Sequence, residues 1–232
     1  MPIWLIVLAW VSLGTAFASA LVIALDLIGG HRQHMWIMNL VWPITALYAG
    51  PLALVAYFRV GRLSSHRRMQ ADRERGEQPA AQRKPFWQMV GVSDSHCGAG
   101  CTLGDIAGGW IVFVGAFEIA GLALWPEFIA DYALAFILGI AFQYFTIAPI
   151  RGLGVGEGIV AALKADTLAL TSFEFGLFGW MALVQLVFFP IEHVHPDSPV
   201  YWFLMQVGML LGFLTSYPVN AWLLKAGLKE AM

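Results

Sequence analysis

The chain has 232 residues, of which 59% are hydrophobic and only 12% are charged. A soluble domain carries about 25% charged residues, so the composition excludes an ordinary soluble protein and predicts an integral membrane protein. The basic residues are concentrated in one loop and interspersed with acids. A solvated loop next to anionic lipid headgroups accounts for them, so nucleic acid is not an expected partner.

Six apolar segments are long enough to cross a lipid bilayer, which needs about 20 helical residues. In chain order they are Ile3–Ile28, Ile37–Phe58, Leu103–Trp125, Tyr132–Ile150, Thr167–Phe189 and Val200–Leu224. The first has no positively charged leader and is too long for a signal peptide, so we read it as an uncleaved span. The predicted fold is an all-α, polytopic membrane protein with six transmembrane helices.

The loop between the second and third predicted spans orients the molecule. Eight of the thirteen Lys and Arg residues lie between Arg59 and Lys84. Dense positive charge is retained on the cytoplasmic side of a membrane. With six spans, both termini are then cytoplasmic, and Arg32 is the one basic residue on the outer side.

The charge and apolar patterns divide the chain into three parts. Residues 1–60 form a two-helix membrane hairpin, residues 61–94 a basic cytoplasmic linker, and residues 95–232 a four-helix membrane domain. Weak amphipathic character between Gly152 and Asp166 is typical of a short helix at the cytoplasmic surface.

The strongest chemical motif is SHCGAGC at residues 95–101, at the predicted start of the third span. Thiolates and imidazole are natural ligands for zinc or Cu(I), so His96, Cys97 and Cys101 are a candidate metal site. Asp105 would follow Cys101 by one helical turn and could add a fourth ligand. The structural alternative is two small buried cysteines, with glycines that allow close helix packing.

Several acids fall inside or beside the predicted spans. Glu118 and Glu174 are intramembrane carboxyl groups, which are costly in hydrocarbon and usually face a cavity or a partner. Their alternative is a protonated carboxyl group bonded to a neighbouring helix. Glu157, Lys164 and Asp166 form a third polar group near the cytoplasmic face, where a solvated helix face is the alternative.

The outer side offers a second candidate site. His193 and His195 are two residues apart, so both imidazoles point the same way in an extended segment. Met205 and Met209 follow at helical i, i+4 spacing, as soft ligands or as apolar filler. Near the end of the chain, Pro218 predicts a broken helix that leaves the polar side chains of Tyr217 and Asn220 beside freed carbonyl groups.

Two sequence patterns carry a family resemblance, HCGxGC near residue 96 and TSYPxNxWL near residue 215. The chain resembles a bacterial integral-membrane family defined only as a domain of unknown function, over roughly Ser95 to Met232. The resemblance implies a compact domain of membrane helices and supplies no activity. We expect the protein to lie in the bacterial inner (cytoplasmic) membrane.

These patterns together predict a protein that binds, and transports, a soft transition metal such as Cu(I) or zinc through the His/Cys/Cys site. The bilayer and the metal ion are the expected partners, and a homo-oligomer is compatible with the sequence. No enzymatic motif is evident. The alternatives are a membrane thiol-redox or cofactor-binding protein, in which Cys97 and Cys101 would cycle, and a membrane scaffold without a site.

Overall fold

The computed structural model describes residues 1–229, and within them the chain is helical, with isolated β-bridges in place of strands. The all-α prediction is therefore confirmed. The helices are α1 (Ile3–Asp26), α2 (Met38–Ala49), α3 (Pro51–Arg59), α4 (His66–Glu74), α5 (Phe86–Gly115), α6 (Leu124–Arg151), α7 (Val155–Leu183) and α8 (Pro199–Lys225).

Five helical segments in residues 1–229 are long and apolar enough to cross a membrane. They are Ile3–His31, Phe86–Gly115, Leu124–Arg151, Val155–Phe188 and Pro199–Lys225. This supports a multi-pass membrane protein, but with five candidate spans and not the predicted six. The difference lies in the second predicted span, residues 37–58.

Residues 38–59 form a hairpin of two short helices, α2 and α3, instead of one continuous span. Gly50 joins them with a φ of 52°, a left-handed conformation that glycine adopts without strain, and Pro51 suits the first turn of α3. The rings of Trp42 in α2 and Tyr57 in α3 lie 5.6 Å apart. Each helix has too few residues to cross a bilayer, so the hairpin enters and returns on one side.

Backbone contacts show that the hairpin begins and ends at the same place. The His34 amide donates to the Ser64 carbonyl at 2.9 Å, and the His66 amide donates to the Arg32 carbonyl at 2.9 Å. The end of α1 lies there too, since the Tyr57 hydroxyl donates to the Asp26 carboxylate at 2.7 Å.

The C-terminal end of α8 and the start of α5 share this end of the bundle. The Lys84 ammonium donates to the Ser64 hydroxyl at 2.8 Å, and the Lys225 ammonium lies 5.3 Å from the centre of the Phe86 ring. With five candidate spans in the described chain, α1 must start at the opposite end. The prediction that both termini lie on one side is therefore not confirmed.

The basic residues fit this arrangement better than the predicted one. Arg32, the exception in the six-span scheme, now lies beside the hairpin and the basic loop. All thirteen Lys and Arg residues, which fall within residues 1–229, then belong to segments at or next to the same end. By the positive-inside rule we expect this end to be cytoplasmic.

Helix α5 begins at Phe86, well before the predicted span at Leu103, and ends at Gly115. The last part of the predicted linker, residues 86–94, therefore belongs to a membrane helix. The SHCGAGC motif lies inside this helix and not, as was predicted, at the start of a span. Residues 230–232 of the predicted third domain lie outside the described residues.

A stripe of glycines brings α5 against α6. Gly100 and Gly104 are four residues apart, so they share one face of α5. A Cβ atom at Gly100 would lie 2.8 Å from the Gly139 Cα, and one at Gly104 would overlap the backbone nitrogen of Ala135. Small residues at such positions let membrane helices approach closely, where van der Waals packing stabilises them.

Polar pairs and glycine hold α7 against α8. The Ser172 hydroxyl donates to the Thr215 carbonyl at 2.9 Å, and the Thr215 hydroxyl donates to the Ser172 carbonyl at 2.7 Å. A Cβ atom at Gly212 would lie 2.8 Å from the Phe173 carbonyl oxygen. Helix α8 continues through Pro218, so the predicted break in this span is not present in residues 199–225.

The first prediction concerns sidedness. A phosphatase reporter fused after His195 should be active and one fused after Arg75 inactive, because basic segments stay cytoplasmic. An N-terminal epitope tag should be accessible to antibody outside spheroplasts, as five spans require. A tag that becomes accessible only after the membrane is permeabilised would contradict the five-span arrangement.

The second prediction concerns the α5–α6 contact. Gly104→Ala should lower the free energy of unfolding by about 1–3 kcal/mol, because the new methyl group meets backbone that cannot move aside. Thermal unfolding in detergent measures it, at about 2–4 °C per kcal/mol for a chain of this size. Gly91→Ala is the matched control on the same helix, since nothing lies within 4 Å of its Cβ position. Equal melting temperatures for the two variants would contradict the close packing of α5 against α6 at Gly104.

Candidate functional site

One face of α5 carries a row of polar and titratable side chains through the interior of the bundle. Asp94, Cys97, Cys101 and Asp105 recur every three or four residues, and each is completely buried. Burying ionisable groups in a membrane is costly unless they face partners or a polar cavity. The neighbours of this face therefore define the candidate site.

The inner group surrounds Asp94 near the basic end of the bundle. One Asp94 carboxylate oxygen accepts hydrogen bonds from the Ser216 hydroxyl at 2.6 Å and from the Asn220 amide at 2.7 Å. The Lys229 ammonium donates to the Asp166 carboxylate at 2.7 Å and to the Asn220 side-chain oxygen at 2.8 Å. These five residues form one connected network, in which Lys229 comes from beyond the last candidate span.

Lys229 is a buried ammonium with a buried counter-charge. Its side chain and that of Asp166 are both inaccessible to solvent. Burial lowers the pKa of the Lys229 ammonium, but the neighbouring acidic groups, Asp166 before Cys97 and Asp94, together raise the pKa above its ordinary value. The ammonium therefore stays charged at neutral pH.

The thiol pair, Cys97 and Cys101, occupies the middle of α5. The two side chains are one helical turn apart and contact each other. Glu174 of α7 lies beside Cys101. The hairpin reaches the same level, because a Cβ atom at Gly98 would lie 2.8 Å from the Tyr48 hydroxyl oxygen.

The outer group lies at the other end of the bundle and contains Asp105, Glu127, Asp131 and Tyr201. The Asp131 carboxylate sits in the notch left by Gly108, where a Cβ atom would overlap it. The four side chains are all nearly or completely buried, and Tyr201 lies close enough to the three acids to interact with each of them electrostatically. Glu174 lies close enough to Asp105 to interact with it electrostatically. Because Glu174 also lies beside Cys101, it connects the outer group to the thiol pair.

Many of these buried atoms have no hydrogen-bond partner within residues 1–229. Both carboxylate oxygens of Glu174 and of Asp105 are in this state, as is one oxygen each of Asp94, Asp131 and Asp166. Buried polar groups in native proteins are nearly always paired with protein, water or an ion. The inner group, the thiol pair with Glu174, and the outer group thus form a continuous line of polar side chains, here called the polar column.

His96 does not point toward the thiols. Its Nε2 atom lies 2.9 Å from the Thr146 hydroxyl of α6, and its ring packs edge-on against Phe142. His96 is four residues before Gly100, so it belongs to the glycine stripe, about 100° around the helix from Cys97. In residues 1–229, no three His, Cys, Asp or Glu side chains are grouped as a metal site requires. The structure thus brings Cys97 and Cys101 together but leaves His96 on another face.

The other predicted polar residues divide into buried and exposed ones. Glu174 and Asp166 are buried in the polar column, as is Asp105 one turn after Cys101. Glu118 is exposed in the connection between α5 and α6, because α5 ends at Gly115, and it is not an intramembrane acid. Glu157 and Lys164 are exposed on the outside of α7, so the predicted group with Asp166 does not form.

The outer histidines lie on the connection between α7 and α8. Val194, between them, is buried and tied to the Gln185 side chain by two hydrogen bonds. His195 is exposed, with its ring centre 6.1 Å from that of Phe113, and His193 is half-buried. The alternation agrees with an extended segment, and binding of an ion there stays a prediction.

The structure also shows where Met205, Met209 and the polar residues near the end of α8 lie. Met205 and Met209 are buried and line a cavity of about 270 Å³ that also borders α1. The Met209 sulfur accepts a hydrogen bond from the Thr102 hydroxyl at 3.8 Å. Asn220 belongs to the inner group, whereas the Tyr217 hydroxyl donates to the Trp87 carbonyl at 3.0 Å.

A family model described as a domain of unknown function, DUF4396, matches residues 86–229. The chain belongs to the DUF4396 family. The matched region starts where α5 starts and contains α5 to α8, with Lys229 as its last residue. The α2–α3 hairpin, and with it Tyr48, lies outside the DUF4396 match. No curated protein and no solved structure matches the chain.

Five members of the polar column were not predicted from the sequence, namely Asp94, Glu127, Asp131, Tyr201 and Lys229, and neither was Tyr48 beside it. Asp94 precedes Cys97 by three residues, a helical spacing that was hidden because the span was predicted to start later. Glu127 and Asp131 have i, i+4 spacing but fell into a predicted loop. No local signal indicates that Lys229 folds back between α7 and α8.

The third prediction concerns His96. Thr146→Val should lower the free energy of unfolding by about 1–3 kcal/mol, because it leaves a buried imidazole nitrogen without a partner. Thr15→Val is the control, since the Thr15 hydroxyl donates to the Ser12 carbonyl at an exposed site. Chemical denaturation of the two variants in detergent measures the difference. A Thr146→Val protein as stable as the control would contradict a structural role for His96.

Proposed function

We propose that this protein transports a cation across the membrane through the polar column. The observation that carries the proposal is the line of buried acids whose oxygens lack partners in the described chain. The column contains six acids, Asp94, Asp105, Glu127, Asp131, Asp166 and Glu174, and all except Glu127 have at least one carboxylate oxygen without a hydrogen-bond partner within residues 1–229. The proposed location is the bacterial inner membrane.

Energetics support a transport role. An ionisable residue at the centre of a spanning helix costs about 2.5–3.5 kcal/mol on insertion scales, and such groups usually mark ion or proton pathways. Packing alone needs no acid at these positions. A column that reaches from the inner group to the outer group supplies carboxylate oxygens at successive depths, so a cation could pass from one to the next.

The thiol pair supports a soft metal ion, Cu(I) or zinc, as the cargo. Thiolates select soft and borderline metal ions, whereas carboxylates alone suit hard ones. Cys97 and Cys101 are the two thiols of the chain, and both border the polar column at mid-depth. In this proposal the two thiols contact the cargo as it passes, with Glu174 next to Cys101, and His96 supports α6 without contacting the cargo.

The α2–α3 hairpin supports the same function. Half-helices that end inside a membrane bring free backbone carbonyls to ion sites in many transporters. Here the tip near Gly50 is fixed inside the protein, because the Gln206 amide donates to the Leu47 carbonyl at 2.6 Å. This places Tyr48 beside the thiol pair, where it can narrow the column.

The geometry argues against thiol–disulfide redox chemistry, the main alternative. Cβ atoms at i, i+4 positions of a helix are about 5–6 Å apart, whereas a disulfide needs about 3.8 Å. Closing the bond would unwind α5 where glycines hold it against α6. A scaffold without a site leaves the unpartnered carboxylates unexplained.

The fourth prediction tests the proposal by transport in proteoliposomes that contain a metal-sensing dye. Wild-type protein should admit Zn²⁺ or Cu(I) faster than protein-free vesicles. The paired change Cys97→Ser with Cys101→Ser, and separately Glu174→Gln, should each slow uptake roughly tenfold or more, the loss of about 1.4 kcal/mol or more of stabilisation. Both substitutions preserve size, so melting curves should stay close to wild type.

Glu118→Gln is the matched control, because it removes a carboxylate that lies outside the polar column. It should leave uptake unchanged. Metal uptake no faster than in protein-free vesicles would contradict the proposal that a soft metal ion is the cargo. If a pH-sensitive dye then reports proton entry that Glu174→Gln abolishes, the column carries protons and the metal assignment is wrong.

A further inference from the structure

The inner group has the composition of a binding site for a hard cation. Two carboxylates, of Asp94 and Asp166, and the side-chain oxygens of Ser216 and Asn220 meet between α5, α7 and α8. All four residues are completely buried. Carboxylate, amide and hydroxyl oxygens are the ligands that hard cations prefer, in contrast to the thiols deeper in the column.

A cationic group already occupies this position. The Lys229 ammonium donates to Asp166 and to Asn220 at 2.7 and 2.8 Å, as a bound ammonium ion would. Its chain connection is short, because α8 ends at Lys225 and the chain turns back at Gly227, where φ is 68°. The lysine is thus held in the pocket by a four-residue tether.

Lys229 leaves two carboxylate oxygens of the pocket without a hydrogen bond from the described residues. One oxygen of Asp94 and one of Asp166 have no hydrogen-bond partner within residues 1–229. Ser216 and Asn220 both donate to the other Asp94 oxygen, which fixes the carboxylate and leaves its second oxygen available. The pocket therefore presents more acceptors than one lysine uses.

We propose that the inner group is a binding site for a hard monovalent cation, sodium or a small primary ammonium ion, and that Lys229 is its tethered competitor. When Lys229 occupies the pocket, soluble cations are excluded. When residues 226–229 move and take the ammonium out of the pocket, a soluble cation replaces it and restores the charge balance. The inference rests on the inner group alone and holds whether or not the polar column carries a metal ion.

The variant Lys229→Ala removes the competing ammonium group but keeps the four side chains that form the pocket. Its melting temperature should rise with sodium chloride and with methylammonium chloride, but not with choline chloride at equal ionic strength, because choline has no N–H donor and is too large. If Lys229 occupies the pocket in about nine molecules of ten, sodium should bind to the Lys229→Ala variant with an apparent affinity about tenfold higher than to wild type. Lys225→Ala, at an exposed lysine on the same helix end, should behave as wild type.

Wild-type protein provides a second measurement that does not depend on the variant's folding. Trypsin can cut after Lys229 only when the ammonium leaves the pocket, and mass spectrometry resolves the product. Sodium and methylammonium should accelerate this cut relative to choline, while cleavage after the exposed Arg75, in the basic loop, should not change. Cleavage after Lys229 at equal rates in all three salts, or a Lys229→Ala protein that melts identically in them, would overturn the proposal.

Discussion

The close contact between α5 and α6 is the constraint on which the rest of the structure depends. Gly100, Gly104 and Gly108 remove side chains from one face of α5, so that α6 approaches to backbone contact. With that face fixed, the helix period turns Asp94, Cys97, Cys101 and Asp105 toward α7 and α8. The same geometry carries His96 to α6 and away from the thiols. One packing interface thus determines which polar residues can meet.

The α2–α3 hairpin completes this arrangement from the other side. It reaches the middle of the bundle, where Tyr48 lies next to Gly98 and the thiol pair. Because the hairpin returns to its own side, the described chain has five candidate spans, and the basic segments gather at one end. The hairpin, and with it the sidedness of the chain, therefore follows from the turn at Gly50.

The sequence predicted the helical membrane fold because long apolar segments need helices in a bilayer. It also predicted that Cys97, Cys101, Asp105, Asp166 and Glu174 are chemically distinctive, since polar groups in apolar segments stand out. The hairpin was missed because residues 37–58 are apolar enough for one span, and only Gly50–Pro51 indicated a turn. His96 was misplaced because adjacency along the chain does not place side chains on one helix face. Lys229 depends on a long-range contact that no local pattern encodes.

The proposed function requires that the polar column be a hydrated pathway and not a dry core. Hydroxyl-radical footprinting with mass spectrometry tests it directly, because radicals generated by X-rays label side chains next to internal water. We expect labelling of buried Tyr201 and Cys101, with little labelling of Met181, which is about as buried but lies outside the polar column. Labelling confined to surface side chains, with Tyr201 and Cys101 as protected as Met181, would contradict it.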